Sequence, residues 1–143
     1  MTKPNATALV ESEADVARRE IRAVIEASYL NGAFNDLDTK TMREGFHPVF
    51  RIHGVLPDGG LRQLPIEEWI AAIEKRKASP DFDPADQKWE HRITLIDVTG
   101  TAAVAKIELF KDSRQVYTDY LSLLKLRGGW RITDKVYHRH PDS

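Results

Sequence analysis

From Lys88 to His138 the chain is almost entirely strand-type sequence broken by tight turns, and this run limits the possible folds more than any other feature. Residues 88 to 98 alternate, with Trp89, His91, Ile93, Leu95 and Asp97 on one face. Thr99-Gly100-Thr101 turns the chain and Ala102 to Phe110 returns. Asp112-Ser113-Arg114 turns it again into 115–126, and Gly128-Gly129 into 130–138. Consecutive long strands joined this closely can only pair with their neighbours, which predicts an antiparallel meander.

Helix signals come earlier, where a cover for that sheet is needed. Ser12 with Asp15 three residues on is a helix-starting cap pattern, and Ala17, Ile21, Val24, Ile25 and Ser28 follow at helical spacing. Asn31-Gly32 predicts the end of that helix. Asp38 can cap a short second helix carrying Met42 toward Phe46, with Gly45 as its stop. His47-Pro48 breaks it, Phe50 and Ile52 alternate with Arg51 and His53 as a strand, and Pro57-Asp58-Gly59-Gly60 turns into a short partner at 61–64. Pro65 suits the first turn of a third helix with Ile66, Trp69, Ile70 and Ile73 in one stripe. Residues 78–87, with two prolines and three aspartates, read as a loop, and residues 1–10 as a flexible lead-in. The expectation is a single α+β domain over 11–140, its antiparallel sheet covered on one face by about three helices. The last hairpin is apolar on both faces, so the uncovered face predicts a homodimer built sheet against sheet.

Composition removes several function classes. The 143 residues carry a net charge of −1, with no cluster of five or more basic residues, which argues against nucleic acid and anionic membranes as partners. Zero cysteines exclude disulfides, thiol catalysis and cysteine-type zinc. No apolar run approaches a membrane span, and no long apolar stretch follows Lys3, so a soluble cytoplasmic protein is expected. Serine-nucleophile elbows, phosphate loops and dinucleotide fingerprints are missing, and no cofactor or metal is expected. His138 and His140 share a strand face at a spacing metals can use, but their place near the end reads as a frayed, solvated tail.

Ionisable groups inside the apolar hairpin are the main chemical clue. A three-residue loop ending at Gly128 sets Lys125 opposite Gly129 and brings Asp119 opposite Lys135; a Gly128-Gly129 turn would instead face Asp119 with His138. The first register pairs charges that otherwise lie alone, and reads most simply as a structural ion pair fixing the strands. The sharper alternative puts Asp119 in a pocket as an acid or base.

Two motifs narrow the family. Tyr29-Leu30-Asn31-Gly32, Phe46-His47-Pro48 and Glu67-Glu68-Trp69 resemble the nuclear transport factor 2-like superfamily. Thr118 to Lys125 (TDYLSLLK) and Gly129 to Tyr137 (GWRITDKVY) resemble its SnoaL-like branch, described as "putative lumazine-binding". The resemblance spans about 14–138. It implies a cone, cystatin-like in outline: a curved antiparallel sheet wrapped around the helices, a pocket at the open end, and dimers. Superfamily members include isomerases, epoxide hydrolases, dehydratases, cyclases and non-enzymatic binders, so fold leaves function open.

The resemblance also implies where a site would lie. His53 falls near the position at which steroid isomerases of the superfamily carry an aspartate base, and Tyr29 near their oxyanion-stabilising tyrosine. Asp119, His53 and Tyr29 are therefore the candidate catalytic residues, and Tyr29, Phe50, His53, Trp69 and Tyr120 the candidate ligand contacts. Each has a plainer reading: a hydrogen-bonded histidine, a tyrosine at the core edge, aromatics that are simply core. The expected function is binding of a small, largely apolar molecule in the cone. Cofactor-free isomerase, dehydratase or cyclase chemistry in the same pocket and a non-catalytic dimeric module are the alternatives.

Overall fold

In the computed structural model, which describes residues 11–142, Ser12 opens the first helix as its sequence suggests. Its hydroxyl accepts the Asp15 N–H at 3.1 Å, and α1 runs Glu13–Val24 with Ala17 and Ile21 buried. The lead-in expected over 1–10 lies outside the described residues.

The helix does not stop at Asn31-Gly32. It continues as a π-helical segment, Ile25–Asn35, in which the Asp36 N–H donates to the Asn31 carbonyl five residues back. Such widening changes which side chains share a face. Here Tyr29 and Phe34, five residues apart, meet edge to face with ring centres 5.1 Å apart. A glycine that reads as a terminator is overridden by packing.

Asp38 caps α2, Thr39–Gly45, accepting from the Thr41 N–H and hydroxyl. Strands β1 (Arg51–Val55) and β2 (Leu61–Pro65) form the short hairpin, α3 spans Ile66–Lys77, and 78–87 is a loop holding one 3-10 turn. The long strands are β3 (Glu90–Thr99), β4 (Ala102–Lys111), β5 (Arg114–Leu126) and β6 (Gly129–Arg139).

All six strands make one curved, unclosed sheet in the order β2-β1-β6-β5-β4-β3. The four long strands form the expected antiparallel meander, and the short hairpin joins through a parallel contact of β1 with β6, Ile52 beside Lys135. Helices cover the concave face. Ile21, Ile25, Leu30, Met42, Phe46, Phe50 and Ile70 meet Ala105, Ile107, Leu109, Leu121, Leu123 and Ile132 in a continuous core.

Three bulges bend the sheet and reset its side-chain parity. In β3 the register shifts between Ile93 and Leu95. Leu95 and Asp97 therefore leave the face shared by His91 and Ile93, and Ile96 and Val98 replace them. The β4–β5 pairing shifts beside Leu109, and the β5–β6 pairing between Ser122 and Leu123.

The last shift corrects the hairpin expectation. Arg127-Gly128 form a two-residue turn, Leu126 faces Gly129, and Thr133 is an extra residue in β6. Asp119 thus lies opposite Tyr137, and Lys135 opposite Leu121; neither register expected from the turn sequence occurs. Trp130 and Ile132 point to the core before the bulge, and Lys135 and Tyr137 after it. Without Thr133 the lysine would face outward.

The convex face keeps large exposed apolar groups on neighbouring strands: Leu95, Tyr120, Leu124 and Val136. His140 is not frayed. Its N–H donates to the Val116 carbonyl and its Nε2 lies 2.7 Å from the Thr118 hydroxyl.

Candidate functional site

Asp119 and Lys135 meet diagonally on the concave face, with the Tyr29 hydroxyl between them. Tyr29 donates to Asp119 Oδ2, and Lys135 Nζ donates to the Tyr29 oxygen at 2.6 Å. The ammonium lies 3.6 Å from Asp119 Oδ2. Asp119 is 0 % exposed and Lys135 5 %. The three groups form an ordered chain, carboxylate to phenol to ammonium, through which a proton can pass.

Aromatic rings enclose the lysine. Its Nζ lies 5.0–5.8 Å from the ring centres of Tyr29, Tyr137, Phe34 and Trp69, where the negative faces of the rings favour a cation. Burial pushes the ammonium below the ordinary lysine value; the Asp119 charge opposes this and the Arg62 cation adds to it. Burial, then the charge and hydrogen bond of Asp119, hold Tyr29 neutral well above the ordinary phenol range. Among the described residues Asp119 Oδ1 finds no hydrogen-bond partner, so the carboxylate keeps an unused acceptor in the interior.

Lys135 also forms part of a cavity wall. A hollow of about 180 Å³ is lined by Lys135, Trp69, Phe34 and Ile52, with Leu64, Tyr117, Tyr137 and Arg62 completing it. Arg62 Nη1 donates to the Tyr137 hydroxyl at 2.7 Å. These two residues also line an outer cleft of about 550 Å³ beside Val55 and Arg139, so their contact stands between hollow and surface. Gly54 lets the Tyr137 ring lie flat against β1: a Cβ there would sit 2.5 Å from Tyr137 Cε1.

The candidate residues divide sharply. Tyr29 and Asp119 lie directly behind Lys135, and Trp69 lines the hollow. Phe50 is fully buried core, stacked on Trp69 with ring centres 5.9 Å apart, and supports the wall from behind. His53 and Tyr120 lie apart from this group, because strand parity sends both to the convex face. His53 Nδ1 lies 3.0 Å from Asp134 Oδ1 and its Nε2 3.2 Å from Gln63, away from the hollow. Tyr120 is 40 % exposed, under the Lys106 ammonium.

Arg62, Phe34 and Tyr137 were not foreseen as lining. A lone arginine in a short strand gave no signal, and Phe34 follows the glycine that reads as a helix end. Among the described residues no three His, Cys, Asp or Glu side chains gather as a metal site would require, and no helix is long and apolar enough to cross a membrane.

A curved sheet closed on one side by a long helix, with a hollow toward one end, defines the nuclear transport factor 2-like class. The chain belongs to the family described as "Putative lumazine-binding", which matches residues 16–138. It is similar to an NTF2-like protein of unknown function from Shewanella baltica OS155, at 30% identity over 93% of this chain and 100% of that one, with a TM-score of 0.74. An NTF2-like protein of unknown function from Methylobacillus flagellatus KT is 29% identical over 92% of this chain and 96% of that one, with a TM-score of 0.68. Among curated proteins, Aldolase FrzH from Cladobotryum sp. is 29% identical over 128 residues, 88% of this chain and 96% of that protein.

Proposed function

We propose that the hollow binds a small, largely apolar carbonyl compound and that the protein carries out cofactor-free acid–base chemistry on it. The carrying observation is the buried Asp119–Tyr29–Lys135 chain, whose lysine lines the cavity. An ion pair needed only to fix strand register does not require four aromatic rings and a cavity wall around its cation. Lys135 donates to a carbonyl oxygen, and Asp119 takes or returns protons through the Tyr29 hydroxyl and the lysine amine, the end of the chain that meets the hollow. The similarity to a protein named an aldolase supports chemistry beside a carbonyl.

The test is hydrogen–deuterium exchange at the α-carbon of cyclohexanone in D₂O, followed by proton NMR. The protein should accelerate exchange, and Lys135→Met and Asp119→Asn should each lower the rate by about 10²–10⁴-fold, the usual reach of one positioned acid or base. Exchange at the buffer rate with folded protein would count against the reading.

The convex face supports a homodimer. Tyr120, Leu124 and Val136 are 40–46 % exposed on adjacent β5 and β6, with Leu95 across β4. Such a patch is best covered by its own copy.

A further inference from the structure

We propose that Lys135 is a nucleophile: its amine forms a covalent iminium with the carbonyl carbon of a small aldehyde or ketone held in the hollow. This rests on the reading above and specifies its chemistry.

Three features converge on the amine. It is the end of the only lysine among the described residues lining this cavity, so a ligand lying among Phe34, Trp69 and Tyr137 meets it head on. Burial in an apolar site, with the Arg62 cation adding to it, outweighs the opposing Asp119 charge and shifts the amine toward its neutral form, and desolvation and a neighbouring cation are conditions under which a lysine becomes nucleophilic. A route for its proton is already built. Nζ donates to the Tyr29 oxygen and Tyr29 donates to Asp119, so one concerted shift along both bonds leaves a neutral amine and a protonated carboxyl.

The step balances without any further reagent. The nitrogen lone pair attacks the carbonyl carbon, the C–N bond forms, and the C=O π pair moves to oxygen, which takes a proton. The second nitrogen proton leaves along the Tyr29–Asp119 path and returns to the hydroxyl, which departs as water while the nitrogen lone pair completes C=N⁺. Ketone and ammonium become iminium and water, with charge conserved. An iminium withdraws electrons from the α-carbon more strongly than a neutral carbonyl, and the unpartnered Asp119 Oδ1 is a resident acceptor for a relayed proton.

The experiment uses 2,4-pentanedione, which converts an amine into a vinylogous amide with a near-ultraviolet band, at pH 7 on the full chain. Each unit by which an amine lies below the ordinary lysine value multiplies its neutral fraction about tenfold. Peptide mass mapping should therefore place the first adduct on Lys135, ahead of every surface lysine. Lys135→Met, checked by circular dichroism, should lose the fast band. Tyr29→Phe, which keeps the lysine, should label Lys135 more slowly. Quenching of tryptophan fluorescence by cyclohexanol, which has no carbonyl, reports occupancy beside Trp69. Quenching without a Lys135 adduct, or labelling spread evenly over the lysines, overturns the nucleophile and leaves the binding reading standing. Neither quenching nor adduct overturns both.

Discussion

Replacing Asp119 with asparagine isolates the electrostatic design of the site, because the shape barely changes while the lysine loses its counter-charge. At 3.6 Å and an effective dielectric of about 20, Coulomb attraction between the two charges is on the order of 4–5 kcal/mol. Breaking one side of a buried pair costs about 3–5 kcal/mol, since the remaining charge stays desolvated. At this chain length that lowers the melting temperature by roughly 10–20 °C. The variant's pH dependence is more telling. A buried lysine with a depressed folded value binds fewer protons folded than unfolded, so stability rises with pH until the unfolded lysines titrate near about 10.4. In Asp119→Asn the depression deepens, and urea denaturation followed by circular dichroism should show stability climbing from pH 7 to pH 9 more steeply than in the wild type. The double variant Asp119→Leu/Lys135→Met should regain most of the loss. A single variant as stable as wild type at pH 7, with a flat alkaline profile, would refute the reasoning.

Tyr29→Phe should cost about 1–3 kcal/mol at neutral pH, because it leaves the buried carboxylate and ammonium without their shared partner. The Tyr29 value is raised on folding, so its contribution is present below about pH 10 and is lost as pH rises through the folded value; the gap between the two proteins in urea should narrow there. Gly54→Ala drives a methyl into the Tyr137 ring, and should cost about 1–3 kcal/mol and weaken cyclohexanone quenching of tryptophan fluorescence. Val136→Glu, on the exposed convex face, should convert a dimer to a monomer in sedimentation velocity while the melting temperature of the monomeric unit stays within a few degrees.

The sheet and the helix order were legible because the long strands are separated by turns with their own chemistry, and the helices open at Ser12, Asp38 and Pro65. The site was harder to read. That Asp119 and Lys135 belong together followed from unpartnered charge among apolar residues, but their geometry did not, because one inserted residue, Thr133, changes which face Lys135 meets. No turn signal marks a bulge inside a strand. His53 shows the reverse case: its alternation with Phe50 and Ile52 already assigned it to the opposite face, and positional likeness to related enzymes pulled it into the site. Tyr29 and Phe34 come together because the first helix widens from Ile25 and continues past Gly32, an outcome of packing that local propensity does not encode.

The central claim is that Lys135 is an amine held in an apolar chamber beside a proton relay. The direct measurement is a ¹³C NMR titration of protein labelled at lysine Cε, with the Lys135 resonance assigned by its loss in Lys135→Met. One lysine titrating clearly below all the others, and shifting when cyclohexanone is added, is the predicted result. Lys135 titrating with the surface lysines, indifferent to the ketone, would contradict the account.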